Sequence, residues 1–427
     1  MKLTTATPSR SPSKLYGWYV VIVLMLCQTL GALDSKVLFI LVESLKRDLM
    51  LSDTQLGLIT GPAFSLTYAI SAIPISKLSD RGVRVHVITG AIVFWSALTA
   101  MGGLAQGMKT LLLSRIGVAV GEAALTPAAH SIIADYTDKA SRPKAIAIYS
   151  LGLAVGTFLA LSLGGYLNDQ LGWRKTLYII GASGVVLSVL VLTTVREPKR
   201  EQASGQRELP KGNFGSLLRN KPVRNLMLGG AVLGISSGAL GSWAPAYVMR
   251  TFHLSATETG ASFGAVAGGV AILGILGGGF IGGWLAQREP RSAFNVLAVA
   301  FVVAMFAQIG SLLTNNYPLF IVLTAISIFL VAFYLAPTYA TIQSTVDPSA
   351  RSFAAAVTMF CISGVGMASG AFVCGLFSDL LRPYYGDESL KAALLVLSVF
   401  KLWGAVHYVL VGRHLSDALV AEAAPAS

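Results

Sequence analysis

Four ionisable residues, Asp34, Arg115, Glu122 and His130, stand inside long apolar stretches of the sequence. A charge held in hydrocarbon is costly, and such residues mark proton or substrate paths when they persist there. Arg115 and Glu122 are seven residues apart, which puts them on one helical face with roughly 10 Å of axial separation. Asp34 lies about 12 Å from the outer end of its own stretch, and Arg115 about 9 Å from the outer start of its stretch. The two share a depth, so an Asp34–Arg115 pair is expected, either as working machinery or as a static salt bridge. Glu122 is the candidate proton carrier. Burial favours the neutral form of a carboxyl and a nearby guanidinium favours the charged form, so a group between them can exchange a proton at working pH. The competing reading is a Glu122 hydrogen-bonded within its own helix. His130 lies eight residues on and about 80° round the helix, and is either a proton relay or a packing residue close to Pro127.

The candidate substrate contacts are Arg115, Glu122 and Asp34, joined by Trp243, Tyr334, Tyr339 and Gln343 from a C-terminal part with almost no charge in its apolar stretches. That asymmetry fits an amphipathic anion, its head near Arg115 and its tail against the C-terminal side. Aromatic residues serving as interface anchors are the alternative, and Tyr247 is read with them. Glu43, Lys46 and Arg47 read as a solvated rim. Lys401, too deep to snorkel, reads as a contact for a lipid headgroup or a partner subunit, the alternative being that its span is bounded differently from 389–412. No HExxH or GxxxxGK[ST] string occurs, and Cys27, Cys361 and Cys374 have no CxxC spacing. No catalytic residue, metal or cofactor is therefore expected. A membrane enzyme and a sensor that does not transport are the weaker alternatives to a carrier.

These residues need an all-α membrane scaffold. The 427-residue chain is 54% hydrophobic and 12% charged, with a mean hydropathy of +0.68, more apolar surface than a soluble core requires. A net charge of +12 raises nucleic-acid binding, but the basic residues fall in short loops without aromatic interleaving, so no nucleic-acid partner is expected. About 20 apolar residues cross the hydrocarbon. Twelve spans fit, near 16–42, 55–77, 84–106, 109–133, 143–166, 174–195, 222–249, 259–286, 292–313, 317–344, 350–379 and 389–412. Most Lys and Arg lie in connections on the side of the termini, which predicts both termini in the cytoplasm of a cell whose inner membrane the chain spans several times. The expected order is an N-terminal tail over 1–15, a six-helix bundle over 16–195, a linker over 196–221, a second bundle over 222–412 and a tail over 413–427. The linker charges are read as solvated, with attraction to anionic lipid.

The halves repeat. Leu51-Ser52-Asp53-Thr54 with Gly57 recurs as Leu254-Ser255-Ala256-Thr257 with Gly260, and Thr126-Pro127 recurs as Ala336-Pro337. The offsets are 203 and 210. An even number of spans per half makes the repeats parallel, related by an axis along the membrane normal, with an interface about which two bundles can rock. Gly117 and Gly121, Gly152 and Gly156, and the run from Gly268 to Gly283 predict close helix crossings.

Ser76-Lys77-Leu78-Ser79-Asp80-Arg81-Gly82-Val83-Arg84 resembles the major facilitator signature GxxxDRxGR, with Ser76 and Val83 in place of its two glycines. The strings at 51–64 and 114–136 are similar to the spinster-like branch of that superfamily. The resemblance implies a major facilitator fold of twelve transmembrane helices in two parallel-related six-helix bundles, working by alternating access as a monomer. It also implies proton coupling and a substrate of the lysolipid or sphingoid-phosphate kind, with small organic anions such as sugar acids as the alternative. Asp80, Arg81 and Arg84 would form a conformational latch on the cytoplasmic side. The branch commonly carries Asp-Arg in its first helix, whereas here Asp34 is followed by Ser35, with Lys36 one residue further and turned about 100°. The antiporter-type Gly-Pro signature of the fifth helix is missing at Gly164-Gly165.

Overall fold

The computed structural model describes residues 14–198, 213–286 and 289–423, and apart from short connections they are helical. Nine helices among the described residues are long and apolar enough to cross a membrane. Two of these carry two spans each. Arg142–Thr194 turns at Gly172, whose φ of 80° only glycine adopts without strain, and so holds the fifth and sixth spans. The stretch from Arg351 to Asp417 holds the eleventh and twelfth. The second span is a pair of helices, Asp53–Thr60 and Pro62–Arg81, and brings the architecture to twelve. A helix suits hydrocarbon because every backbone group is satisfied within the segment.

Two spans are broken at corresponding places. The fourth is Met108–Glu122 followed by Leu125–Tyr136, and the tenth is Tyr317–Ala332 followed by Leu335–Thr345. Proline explains both breaks. Pro127 and Pro337 have no N–H to offer the carbonyls of Ala123 and Phe333 four residues earlier, so the helix loosens there. Glu122 thus ends the first segment of its span, and Ala332 occupies the equivalent place in the second half.

The second helix of each half opens on a capping box. Ser52 with Gln55, and Ser255 with Glu258, satisfy N–H groups reciprocally at the two helix starts. These helices pack across the boundary between halves, the second span on the eleventh and the eighth on the fifth. Glycine makes both crossings possible. A Cβ on Gly57 would stand 2.6 Å from the Ala371 carbonyl oxygen, and one on Gly260 would stand 2.0 Å from that of Leu161. Local π-helical turns at Val266–Val270 and Phe360–Met367 lie in the eighth and eleventh spans. Between the halves, a short helix, Phe214–Arg219, follows the stretch 199–212, most of the expected linker, which lies outside the described residues.

Candidate functional site

In the first half, Asp34 and Arg115 are an ion pair. Arg115 Nη1 donates to Asp34 Oδ1 at 3.2 Å, Nη2 donates to the Ser35 carbonyl at 3.5 Å, and Thr99 Oγ1 donates to the other Asp34 oxygen at 2.5 Å. Both partners are buried, 1% and 3% exposed. The Arg115 guanidinium lies 5.0 Å from the centre of the Phe64 ring, a cation–π contact that further fixes it. Glu122, on the same helix as Arg115, interacts electrostatically with Asp34, Arg115 and Lys36. Its Oε1 is buried without a hydrogen-bond partner among the described residues. A carboxyl whose oxygen is left open in this way stands ready to take a proton or a donor. His130 is exposed and set edge-on to Tyr149, ring centres 5.3 Å apart, with no hydrogen bond to Glu122.

Beside this cluster, between the halves, lies a cavity of about 330 Å³. Its walls are mostly apolar, with Phe39, Leu161, Phe263 and Tyr334 among them, and two cations reach it, Lys36 from the first span and Lys401 from the twelfth. Lys36 faces the cavity because its position past Asp34 turns it off the Arg115 side, and its ammonium lies 5.0 Å from the Phe39 ring centre. Arg115, Glu122 and Asp34 sit behind the wall and do not line the cavity. Trp243 is engaged elsewhere, its indole N–H donating to the Ala371 carbonyl at 2.8 Å in the buried core. Tyr339 is half-buried and Gln343 exposed, both farther along Leu335–Thr345 and outside the cavity lining.

The reading of Lys401 as a lipid or subunit contact is corrected: it is 1% exposed and points into the second bundle. Its ammonium donates to Ser236 Oγ at 2.9 Å and to Gln308 Oε1. Sequence position alone could not show this, because the inward face of a span with few polar neighbours is not marked by periodicity.

At one end the cavity is closed by polar bonds between halves. Arg250 donates to both Asp53 oxygens at 2.9 Å and to Glu43 at 2.8 Å, while Lys46 and Ser378 also hold Asp53, at 2.5 and 2.7 Å. Glu43 and Lys46 are therefore bonded into a charged cluster where the halves meet rather than left as a solvated rim. Asp379 of the eleventh span accepts from the Thr54 N–H at 2.8 Å and from its hydroxyl at 2.6 Å. Asp169 of the fifth span does the same for Thr257, at 2.7 Å for each bond. Each half thus caps the second helix of the other with a carboxylate, where the exposed N–H groups and helix dipole favour negative charge. Asp169 and Asp379 differ by 210 in number, the repeat offset already read at Pro127 and Pro337, and that coincidence was the available signal.

Past the other end of the second span, Arg84 is buried and bonds within its own half, to Asp135 at 2.6 Å, Glu197 at 2.8 Å and Ser131 at 2.7 Å. The side chains of Asp80 and Arg81 lie outside the described residues.

Two pseudo-equivalent helical bundles, gated at one end around a central cavity with buried charges beside it, define a membrane carrier rather than a channel or a soluble enzyme. The Major Facilitator Superfamily profile matches residues 24–371. The chain is 33% identical to an "MFS-type efflux pump" of Mycolicibacterium smegmatis over 95% of each sequence. It is 23% identical to a "Probable L-galactonate transporter" of Escherichia coli over 92% of this chain and 88% of that one. A crystal structure of a bacterial homologue of the human lysosomal transporter Spinster, inward-facing and unoccupied, superposes with a TM-score of 0.86 at 29% identity, over 95% of this chain and 99% of the other. The chain belongs to the Major Facilitator Superfamily, and within it to the spinster-like transporters.

Proposed function

We propose that this transporter couples proton movement to the passage of an amphipathic anion, with Glu122 as the proton carrier. The observation that carries the reading is the juxtaposition of Glu122, with its open Oε1, and Lys36, which interacts with Glu122 and lines the cavity. An anion arriving at Lys36 competes with Glu122 for the same cation, so substrate entry and proton uptake on Glu122 favour one another. Asp34, held by Arg115 and Thr99, keeps the Arg115 charge occupied and fixes the second charge that Glu122 feels. Arg115 acts on substrate through that network, and Tyr334 contributes an apolar wall with a polar tip.

A sugar acid is the second reading, favoured by the name of the Escherichia coli relative. The cavity walls argue for the amphipath. Each hydroxyl of a polyol left without a partner on an apolar wall costs about 1–3 kcal/mol, whereas an alkyl chain gains by burial there.

The charge distribution between loops supports cytoplasmic termini, so the gated end faces outward and the chain is in its inward-facing state. The domain order expected from the sequence, two bundles about a cytoplasmic linker, is part of this reading. The test is uptake by the reconstituted full chain in liposomes, with and without an imposed pH gradient. Oleoyl lysophosphatidate and D-gluconate are the probes. Gradient-stimulated movement of the lysophosphatidate and not of gluconate is expected; movement of gluconate alone rejects the amphipath, and indifference to the gradient rejects the coupling.

A further inference from the structure

Among the described residues, the half with few buried charges holds a buried cation that has no ion-pair partner. Lys401 lies in the twelfth span at Phe400–Ala423, just after the helix is interrupted at Val399. Its contacts are neutral: Ser236 of the seventh span and Gln308 of the ninth, both 0% exposed. No carboxylate among the described residues is within ion-pair distance of Lys401 or of Lys36. A buried ammonium without a counter-charge is expensive, and two neutral acceptors offset only part of that cost.

Beside it stands a second unmet group. Gln308 gives its Oε1 to Lys401, which leaves its amide nitrogen as a donor, and that Nε2 is buried with no partner among the described residues. The ammonium has three N–H groups, of which Ser236 and Gln308 take two. One ammonium N–H therefore remains, at a point where Lys401 reaches the wall of the central cavity, while Gln308 lies behind that wall, fully buried and outside the lining. A charged donor left open at a cavity wall matches an oxygen of a carboxylate or a phosphate monoester.

We propose that Lys401, positioned by Ser236 and Gln308, forms an oxyanion subsite on the C-terminal half of the cavity, which Lys36 lines from the N-terminal half, so that a bound anion is contacted by cations of both bundles. The inference rests on the anionic substrate proposed above and adds a binding residue to it. Because Lys36 moves with one bundle and Lys401 with the other, an anion between them ties the halves together through the cavity. Such an anion would partly replace the rim bonds at Asp53 and Arg250 when those break. That is what a carrier requires of its substrate: an interaction that stabilises the state between the two open ones.

The repeat supports a division of labour. Glu122 of the fourth span corresponds to Ala332 of the tenth, which lines the cavity without a charge. The second half therefore has no carboxylate at the position of Glu122, and brings Lys401 to the cavity instead.

The test uses the purified full chain in a neutral detergent. Binding of oleoyl lysophosphatidate is compared with that of the uncharged monooleoylglycerol of the same chain length. In the wild type the anion binds at least tenfold more tightly, and Lys401→Gln loses about tenfold on the anion while keeping its affinity for the neutral probe. Lys401→Arg restores anion binding to within about threefold, which a purely structural lysine between three spans would not do. Gln308→Leu, which leaves the ammonium in place, loses affinity for the anion alone. Unchanged anion affinity in Lys401→Gln overturns the subsite and leaves the function standing. Equal wild-type affinity for the two probes overturns the anionic substrate itself. If Lys401→Gln does not fold, the Arg and Gln308 variants decide, and unchanged anion affinity in Gln308→Leu overturns the proposal.

Discussion

Arg250 reaches across the boundary between the two halves and takes both oxygens of Asp53, each at 2.9 Å. Asp53 is 2% exposed and has no counterpart charge in the repeat, where Ala256 stands. A bidentate, partly desolvated ion pair of this kind must break before the gated end can open. Asp53→Asn is therefore expected to move the population towards the rim-open state. Removing one partner of such a pair costs about 2–5 kcal/mol, enough to change a state ratio tenfold or more. Spin labels at positions 47 and 253 report it: a new longer-distance population is the expected outcome, and an unaltered distribution would exclude this pair as the gate.

The two carboxylate caps should behave as near-equivalents. Asp169→Ala removes bonds to the Thr257 amide and hydroxyl, and Asp379→Ala removes those to Thr54, each worth about 1 kcal/mol as a helix cap. Asp379 also accepts from the Asp53 N–H at 3.2 Å, so its loss should be the larger of the two. Hydrogen exchange of the first turn of each second helix measures this, with faster exchange confined to the helix that lost its cap. Exchange that rises equally in both helices on either mutation would contradict the pairing.

Close approach of backbones sets a steric test. Gly260→Ala places a methyl 2.0 Å from the Leu161 carbonyl oxygen, and neither backbone can yield without separating the fifth and eighth spans. Transport should fall by at least tenfold. Gly90→Ala, where nothing lies within 4 Å, should leave transport intact and stabilise its helix by about 0.5–1 kcal/mol. Equal effects of the two in an uptake assay would remove the crossing from the account.

The Asp34–Arg115 pair should show the asymmetry of buried charges. Asp34→Ala removes the ion-pair partner of the buried Arg115 guanidinium and is expected to cost about 3–5 kcal/mol. Adding Arg115→Met to it should recover part of that loss, because the orphaned charge goes too. Thermal unfolding of the two variants in detergent decides the point, and a double mutant less stable than the single would count against a buried ionic core.

The architecture was legible because hydrocarbon imposes it: length and apolarity fix the spans, and Pro127 and Pro337 with the Ser52 and Ser255 boxes betray the repeat. Helix ends were less legible. The first helix runs Lys14–Leu49 rather than over 16–42, since polar residues continue it beyond the hydrocarbon. The depth argument brought Asp34 to Arg115, and the same reasoning failed for Lys401. Depth says how far a side chain lies from water, but not whether it points to lipid or to Gln308. The rim was missed for a related reason. Glu43, Lys46, Asp53 and Arg250 are ordinary surface charges in the sequence, and only the packing of one half on the other gives them partners.

The central claim is that Glu122 carries the proton. Its most direct measurement is the pH profile of substrate uptake by Glu122→Gln in liposomes, beside the wild type at matched protein density. Glutamine keeps the shape of the side chain and cannot exchange a proton, so the mutant is expected to lose stimulation by a pH gradient and to show a flat profile, while still exchanging substrate across the membrane without a gradient. A mutant that keeps the wild-type profile and gradient response would contradict the account.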